Sequence, residues 1–439
     1  MVLITHHTGE THGILGAQAA ATHLTRNLDL PSIVVGVERE FSKENVLQFL
    51  EHYYQDKERV IGFSHLCGRK DLIELIGLAK ERGFLTVLGG PQAYIDYYGE
   101  PDSELFPRRF KGLRNVVDLA IQGPIDVLKR EDFGGKAGCL TFPWGKNIDL
   151  SVDWSNIHTF SNQLRKFEVK TAQVLYTLGC PHALKEQIVR LAPPEPLQGE
   201  PLEMDVRCSG CIFCDVARDK GYHGPIDSAT VLQQIENLPE EDGRKVPFEI
   251  INEYPIRSLR WILDQCHEAG IALSRIDLVC RVDDINSHQD QLIEALTIAG
   301  PRRVAILFSS IGFESFNDTI LRFLNKGISV DDSIRCVSIL RELKARFGHI
   351  LLYRRDEGAN HGFIHPTPWD NEETIRENNR TIAMYRLFDD ILPRHSVPLI
   401  IHHSSFLGDW IRRLETDLSL AFKRDGTWIE WWSPPVPLI

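Results

Sequence analysis

Short apolar runs alternate with stretches of helical periodicity along the first 125 residues. VLITHH (2–7), SIVVGV (32–37), RVIGFS (59–64), FLTVLGG (84–90) and NVVDLAIQG (115–123) are predicted strands, and ILGAQAAATHL (14–24), the stretch around 44–54 and DLIELIGLAKERG (71–83) are predicted helices. Near-continuous apolar strands separated by amphipathic helices indicate a parallel sheet covered on both faces. The pattern predicts a doubly wound, Rossmann/flavodoxin-like domain over residues 1–130. In such a sheet, ligands bind beyond the carboxyl ends of the strands, so the informative residues follow each strand.

The alternation weakens over 131–170, where Gly134, Gly135, Gly138, Pro143, Trp144 and Gly145 mark an expected linker. It resumes with strand-like PFEIIN (247–252), SRIDLVCR (274–281), RVAILFS (303–309) and HILLYRR (349–355). Helical ATVLQQIENL (229–238), SLRWILDQCHEAG (258–270), DQLIEALTIAG (290–300) and DDSIRCVSILRELKARF (331–347) lie between them. Repeating βα units predict a full or partial α/β barrel over 171–390, active at its strand carboxyl ends. Residues 391–439, with His395, His402, His403 and WIEWW, are expected as an extension packing on the barrel.

Composition narrows the function. The 439 residues carry 49 Lys+Arg against 61 Asp+Glu, a formal charge of -12, with 43% hydrophobic residues. This acidic balance without a basic run argues against nucleic acid or an anionic membrane as partner. No stretch approaches the ~18 apolar residues of a spanning helix. MVLITHHTGETHG lacks the basic start and apolar core of a secretion signal. A soluble, globular, cytoplasmic protein is the expectation.

Nine cysteines, an odd number, do not make a disulfide framework. Cys208, Cys211 and Cys214 crowd into VRCSGCIFCDVA, close enough to converge on one metal centre. Zinc would need a fourth ligand, which Cys180 or His223 can supply. An iron-sulfur cluster held by three thiolates would instead leave one iron open. Spacing alone leaves both open.

The segments around the triplet carry a resemblance. Phe213 stands just before the last cysteine, LVCRVDDIN (278–286) contains a strand-end Arg281, AILFSSIGFESFNDTILRFLNKG (305–327) contains G-x-E-S and N-K-G, and GFIHPTPWDNEETIRENN (362–379) follows in order. Over about 200 residues this region resembles the radical SAM superfamily. The resemblance implies a partial TIM-type (β/α)6 barrel, a 4Fe-4S cluster on Cys208, Cys211 and Cys214, and S-adenosylmethionine held by Phe213, Glu253, Arg281 and Glu314. The family's usual spacing is C-x3-C-x2-C, one residue longer than here. YTLGCPHAL (176–184) also resembles the start of the cluster loop, which makes Cys180 the alternative first ligand if an insertion splits the motif.

In the first domain, Glu10-x-His12, Ser64-His65-Leu66 and Gly89-Gly90 follow successive predicted strands, and VDLAIQG (117–123) follows them. Small or hydroxyl residues at strand ends let a large planar ligand lie against the backbone. The absence of G-x-G-x-x-G after the first strand disfavours a dinucleotide. The set resembles the cobalamin-binding domain, which implies corrin contacts at Ser64, Leu66, Gly89 and Gly90 and, in some relatives, a cobalt-ligating histidine at the place of His12. A cobalamin-type domain ahead of a radical SAM barrel is the layout of cobalamin-dependent radical SAM enzymes. That resemblance implies methylation of an unactivated carbon, with cyclisation, oxidation or rearrangement as alternatives, and an external electron donor such as flavodoxin or ferredoxin. The competing class is a zinc-containing, non-radical cofactor-binding or sensor protein.

Overall fold

The computed structural model describes residues 1–7, 11–64, 66, 68–133, 137–197, 202–214 and 224–437. Strands β1 (Val2–His6), β2 (Ile33–Val37), β3 (Val60–Ser64), β4 (Leu85–Gly89) and β5 (Leu119–Gln122) form the expected sheet. They are interleaved with helices α1 (Leu15–Asn27), α2 (Lys43–Tyr53), α3 (Lys70–Glu81) and α4 (Ala93–Tyr98). The strand order 5-4-3-1-2 is parallel throughout, as in a flavodoxin-like fold. Its winding reverses between β1 and β3. The ligand crevice of this topology therefore opens between the loops after His6 and Ser64, where residues 8–10, with Glu10, together with His65 and Cys67 lie outside the described residues.

The stretch expected as a linker is instead part of this sheet. β6 (Gly138–Thr141) pairs with β5, and β7 (Ile157–Phe160) pairs with β2 and with the antiparallel β8 (Leu164–Lys166). Strands of three or four residues leave little periodicity to read. Burial of Ile157 and Phe160 in the cores on either face of the sheet is what recruits β7.

A second sheet is built from β9 (Ala172–Leu175) and later strands. Two short antiparallel pairs stand apart from it: β10 (Thr177–Leu178) with β13 (Gly224–Pro225), and β14 (Glu240–Glu241) with β15 (Arg244–Lys245). A longer hairpin, β11 (Glu186–Leu191) with β12 (Met204–Ser209), projects between them. The sheet proper runs β9, β16 (Phe248–Ile251), β17 (Arg275–Arg281), β18 (Ala305–Glu314), β19 (Leu351–Leu352), with β20 (Gly362–Phe363) also on β18, all parallel. The protein is thus α/β, with an N-terminal doubly wound sheet and a second parallel sheet of six strands.

The two sheets share one hydrophobic core, which joins Leu15, Ala17 and Leu24 of α1 to Val174, Ile250 and Leu278 of the second sheet. A separate core around Trp410 and Trp431 packs the helix Phe406–Leu418 on the β11/β12 hairpin. In the C-terminal region, β21 (Ile401–His402), β23 (Lys423–Asp425) and β24 (Trp428–Glu430) form one small sheet, and β22 (Leu420–Ala421) pairs with β25 (Val436–Pro437). This extension also reaches the first sheet. Arg109 Nε meets Glu415 Oε2 at 3.1 Å, and Glu100 Oε1 meets Arg412 Nη1 at 3.1 Å and Arg424 Nη2 at 2.8 Å, all five side chains being buried. Charges this deep persist only when paired, so the network fixes the extension against both sheets. No helix among the described residues is long and apolar enough to cross a membrane.

Candidate active site

The first strand of the second sheet is β9, and the chain turns at Gly179 (φ 73°) straight into Cys180. A short 3-10 turn, Pro181–Leu184, follows, and then the β11/β12 hairpin departs and returns. Because its last pair, Glu186 with Ser209, closes beside the departure point, Gly210 comes to rest on Ala183. A Cβ on Gly210 would stand 2.9 Å from that of Ala183, and its φ of 76° favours glycine independently. The hairpin thereby delivers Cys211, Phe213 and Cys214 next to Cys180. All four line one cavity of about 200 Å³ at the carboxyl ends of the second sheet, together with Glu253, Arg281, Glu314 and Lys326.

Cys208 does not join them. It lies on β12, a strand of the hairpin and not of the parallel sheet, and its side chain is buried in the C-terminal core. Asn325 Nδ2 donates to its sulfur at 3.5 Å, and burial pushes its thiol up to about 11. Of the expected triplet, Cys211 and Cys214 line the cavity while Cys208 lies just off its lining, still within electrostatic reach of Cys211, and the returning hairpin sets Cys180 on the lining beside the other two. Tetrahedral zinc at ~2.3 Å from sulfur needs thiolates ~3.8 Å apart, and among the described residues no three of these cysteines lie mutually within 4.8 Å. His223 lies outside the described residues.

The cavity is built to hold negative charge. Arg281, at the end of β17, donates from Nη1 to Cys211 Sγ at 3.4 Å, from Nε to Asp283 Oδ1 at 2.8 Å and from Nη2 to the Lys326 carbonyl at 2.6 Å. Burial opposes ionisation of Cys211, yet Lys326, His182 and Arg281 together hold its thiol below the ordinary cysteine range. Cys180 lies higher, because burial and the nearby Glu253 both disfavour its thiolate. The Asn325-Lys326-Gly327 turn ties these parts together: Asn325 Nδ2 donates to Gly210 O at 2.7 Å, and the Asn325 carbonyl lies 3.0 Å from His182 Nε2. Lys326 is fully enclosed and its Nζ meets Glu314 Oε1 at 2.8 Å. Glu314 itself has φ 61°, unusual for a side-chain-bearing residue. A Cβ on Gly312 would lie 2.7 Å from Glu314 Oε1, and one on Gly362 would lie 2.7 Å from Oε2, so the two glycines make room for this carboxylate.

Lys326, His182 and Asn325 were absent from the residues singled out as site candidates. N-K-G and G-C-P-H were visible as motifs, but nothing in their spacing shows that one turn would cross over the other.

In the first sheet, Ser64 and Gly89 are register partners at the carboxyl edge, and Gly90 follows with φ 125°. A Cβ on Gly89 would meet only the Phe63 carbonyl, at 3.9 Å. These three positions make a ledge poor in side chains, which suits a planar ring system. Leu66, the other residue expected there, has its side chain buried in the same core as Phe63 and Leu72. His12 bridges to Thr171 at the amino end of β9 and interacts electrostatically with the buried Glu249 and Asp277 of the second sheet. Beyond the ledge, Gly68 is covered by the Trp428 indole of the C-terminal extension, which a Cβ there would meet at 2.2 Å.

No protein-family model and no curated protein matches the chain. Among solved structures, the chain resembles an apo, selenomethionine-labelled form of OxsB, described as a cobalamin-dependent S-adenosylmethionine radical enzyme, with a TM-score of 0.52 over 98% of this chain at 11% identity. The chain spans 63% of the length of that protein. At this identity the likeness is one of fold.

Proposed function

We propose that this chain is an enzyme that reductively cleaves S-adenosylmethionine at a 4Fe-4S cluster ligated by Cys180, Cys211 and Cys214. One observation carries the reading: three thiols from two separated segments line a single cavity with Arg281, Glu253 and Glu314 at the carboxyl ends of a parallel sheet. The likeness in fold to OxsB supports it. The bound cluster and S-adenosylmethionine would together supply an electron and a carbon radical able to take hydrogen from an unactivated carbon.

The chain's own residues do the rest. Lys326, His182 and Arg281 favour the Cys211 thiolate, the form that ligation requires. Glu253 and Glu314 offer carboxylates to the amino group and ribose hydroxyls, and Phe213 offers an apolar face for adenine. Lys326, already paired with Glu314, neutralises that carboxylate until the ligand's cation competes for it. Val279 supplies an apolar wall that limits water around the reacting carbon. Cobalamin on the ledge of Ser64, Gly89 and Gly90, without His12 as a ligand, would make methylation of a small molecule the outcome, with an external electron donor.

Anaerobic reconstitution of the full chain tests the reading. The expected result is about four irons per chain and release of 5'-deoxyadenosine from S-adenosylmethionine on reduction. A colourless protein that leaves S-adenosylmethionine intact overturns it, and cobalamin binding is measured separately by absorbance.

A further inference from the structure

Away from the cysteine cavity, Asp96 of α4, His402 at the end of β21 and the adjoining His403 converge in the interior. His403 Nε2 lies 2.9 Å from Asp96 Oδ1 and His402 Nε2 lies 3.9 Å from the same oxygen, with one ligand atom from each residue all within 4.8 Å of one another. The side chains of Asp96 and His403 are 5% and 2% exposed, and that of His402 is 11%. Neighbouring residues on a strand point to opposite faces. These two imidazoles nevertheless share one face, with ring centroids 4.8 Å apart and planes tilted by 39°, because β21 ends at His402 and the chain turns through His403 and Ser404.

We propose that Asp96, His402 and His403 form a site for a divalent transition-metal ion of the zinc class, which clamps α4 of the first sheet to the C-terminal extension. Two imidazoles and one carboxylate are a characteristic donor set for such ions. With metal-ligand bonds of ~2.0–2.2 Å, tetrahedral ligand atoms stand ~3.3–3.5 Å apart. The observed 2.9 and 3.9 Å bracket that spacing, so side-chain rotations suffice to load the site.

The surroundings hold the donors in place. Ser404 Oγ lies 2.6 Å from His402 Nδ1 and the Ser404 amide N–H donates to the same nitrogen at 3.3 Å, which orients the ring with Nε2 toward Asp96, so that a metal would meet Nε2 with loss of any proton there. The backbone of His403 is pinned at both ends, its N–H donating to Thr427 O at 2.9 Å and its carbonyl accepting from Arg412 Nη1 at 2.6 Å. Arg412 is the cation beside the site, and Glu100 and Asp409 already neutralise it. Asp96 is then the carboxylate available to balance a bound ion. The alternative is a bare hydrogen bond from His403 to Asp96.

Cobalt and zinc titrations of the chelator-treated full chain separate these cases, using a variant with Cys180→Ala, Cys211→Ala and Cys214→Ala so that the thiols are out of play. The expected result is one equivalent of zinc held against a chromophoric chelator. Cobalt should give visible d–d bands without sulfur-to-metal charge transfer, and zinc should raise the melting temperature. Asp96→Asn and His402→Gln, which keep the volume of the site, should each lose the equivalent, as should His403→Ala. No uptake by this triple-alanine variant overturns the proposal, and so does uptake that survives Asp96→Asn combined with His402→Gln. Neither result bears on iron loading at the cysteines.

Discussion

Arg281 donates a hydrogen bond to Cys211 Sγ at 3.4 Å, and with its other terminal nitrogen it holds the Lys326 carbonyl at 2.6 Å. One guanidinium thus helps to lower a cavity thiol and fixes the turn that carries the cavity's buried ammonium. Arg281→Met should move the Cys211 thiol to higher pH, read from the pH dependence of its alkylation in cluster-free protein. Charge-assisted hydrogen bonds contribute ~1.5–3 kcal/mol, so affinity for S-adenosylmethionine should fall ~10- to 100-fold. Arg281→Lys keeps the charge but loses the planar fork and should recover only part of both.

The cysteines divide by position and not by spacing. Cys180→Ala, Cys211→Ala and Cys214→Ala should each abolish the brown colour and cleavage activity. Cys208→Ala should keep its iron and lose only ~1 kcal/mol of stability, the common cost of a buried substitution. Iron analysis and a melting curve on the four variants decide this, and iron loss in Cys208→Ala with iron retained in Cys180→Ala would reverse the assignment.

The glycines around Glu314 give a steric test. Alanine at Gly312 or Gly362 would place a methyl group 2.7 Å from a Glu314 carboxylate oxygen, and at Gly312 also 2.5 Å from Lys326 Nζ. Both contacts are with side-chain ends, so the ion pair should move and the backbone stay. Misplacement of about 1 Å can cost ~100-fold in activity. The expected outcome is loss of S-adenosylmethionine cleavage of that order with little change in melting temperature.

Glu100 should make the junction with the C-terminal extension acid-sensitive. Burial opposes its ionisation, but Arg424, the Phe110 amide and Arg412 overcome this and lower its value from 4.5 to about 2. A carboxylate depressed on folding stabilises the native state above its unfolded value, and that contribution disappears as pH falls through the folded one. The window is therefore about pH 4.5 down to about 2, and the shift corresponds to ~3 kcal/mol. Acid titration followed by fluorescence of the buried Trp410 and Trp431 should show the C-terminal core loosening in that window. Glu100→Gln should show the loss already at neutral pH.

Periodicity made β1 to β5 and β16 to β18 legible, since each is an apolar run long enough to be buried on both faces. β6, β7 and β8 were not legible, because strands of three or four residues owe their place to the sheet beside them. For the site, Arg281 and Glu314 were readable at strand ends, where parallel sheets collect their ligands. Cys180 was readable as a motif without partners. What hid its place on the cavity beside Cys211 and Cys214 was the β11/β12 hairpin, whose closure at Glu186 and Ser209 no local pattern announces.

The sequence by itself determined the α/β class, the order of the two sheets and the chemistry concentrated in the cysteines, because period, apolar run length and residue type are local properties. Tertiary structure alone decided which cysteines meet, where His12 goes, and that Asp96 faces His402 and His403. Those outcomes depend on a hairpin returning to its origin and on an extension folding back across both sheets. They are contacts between distant segments, set by burial and ion pairing and not by spacing along the chain.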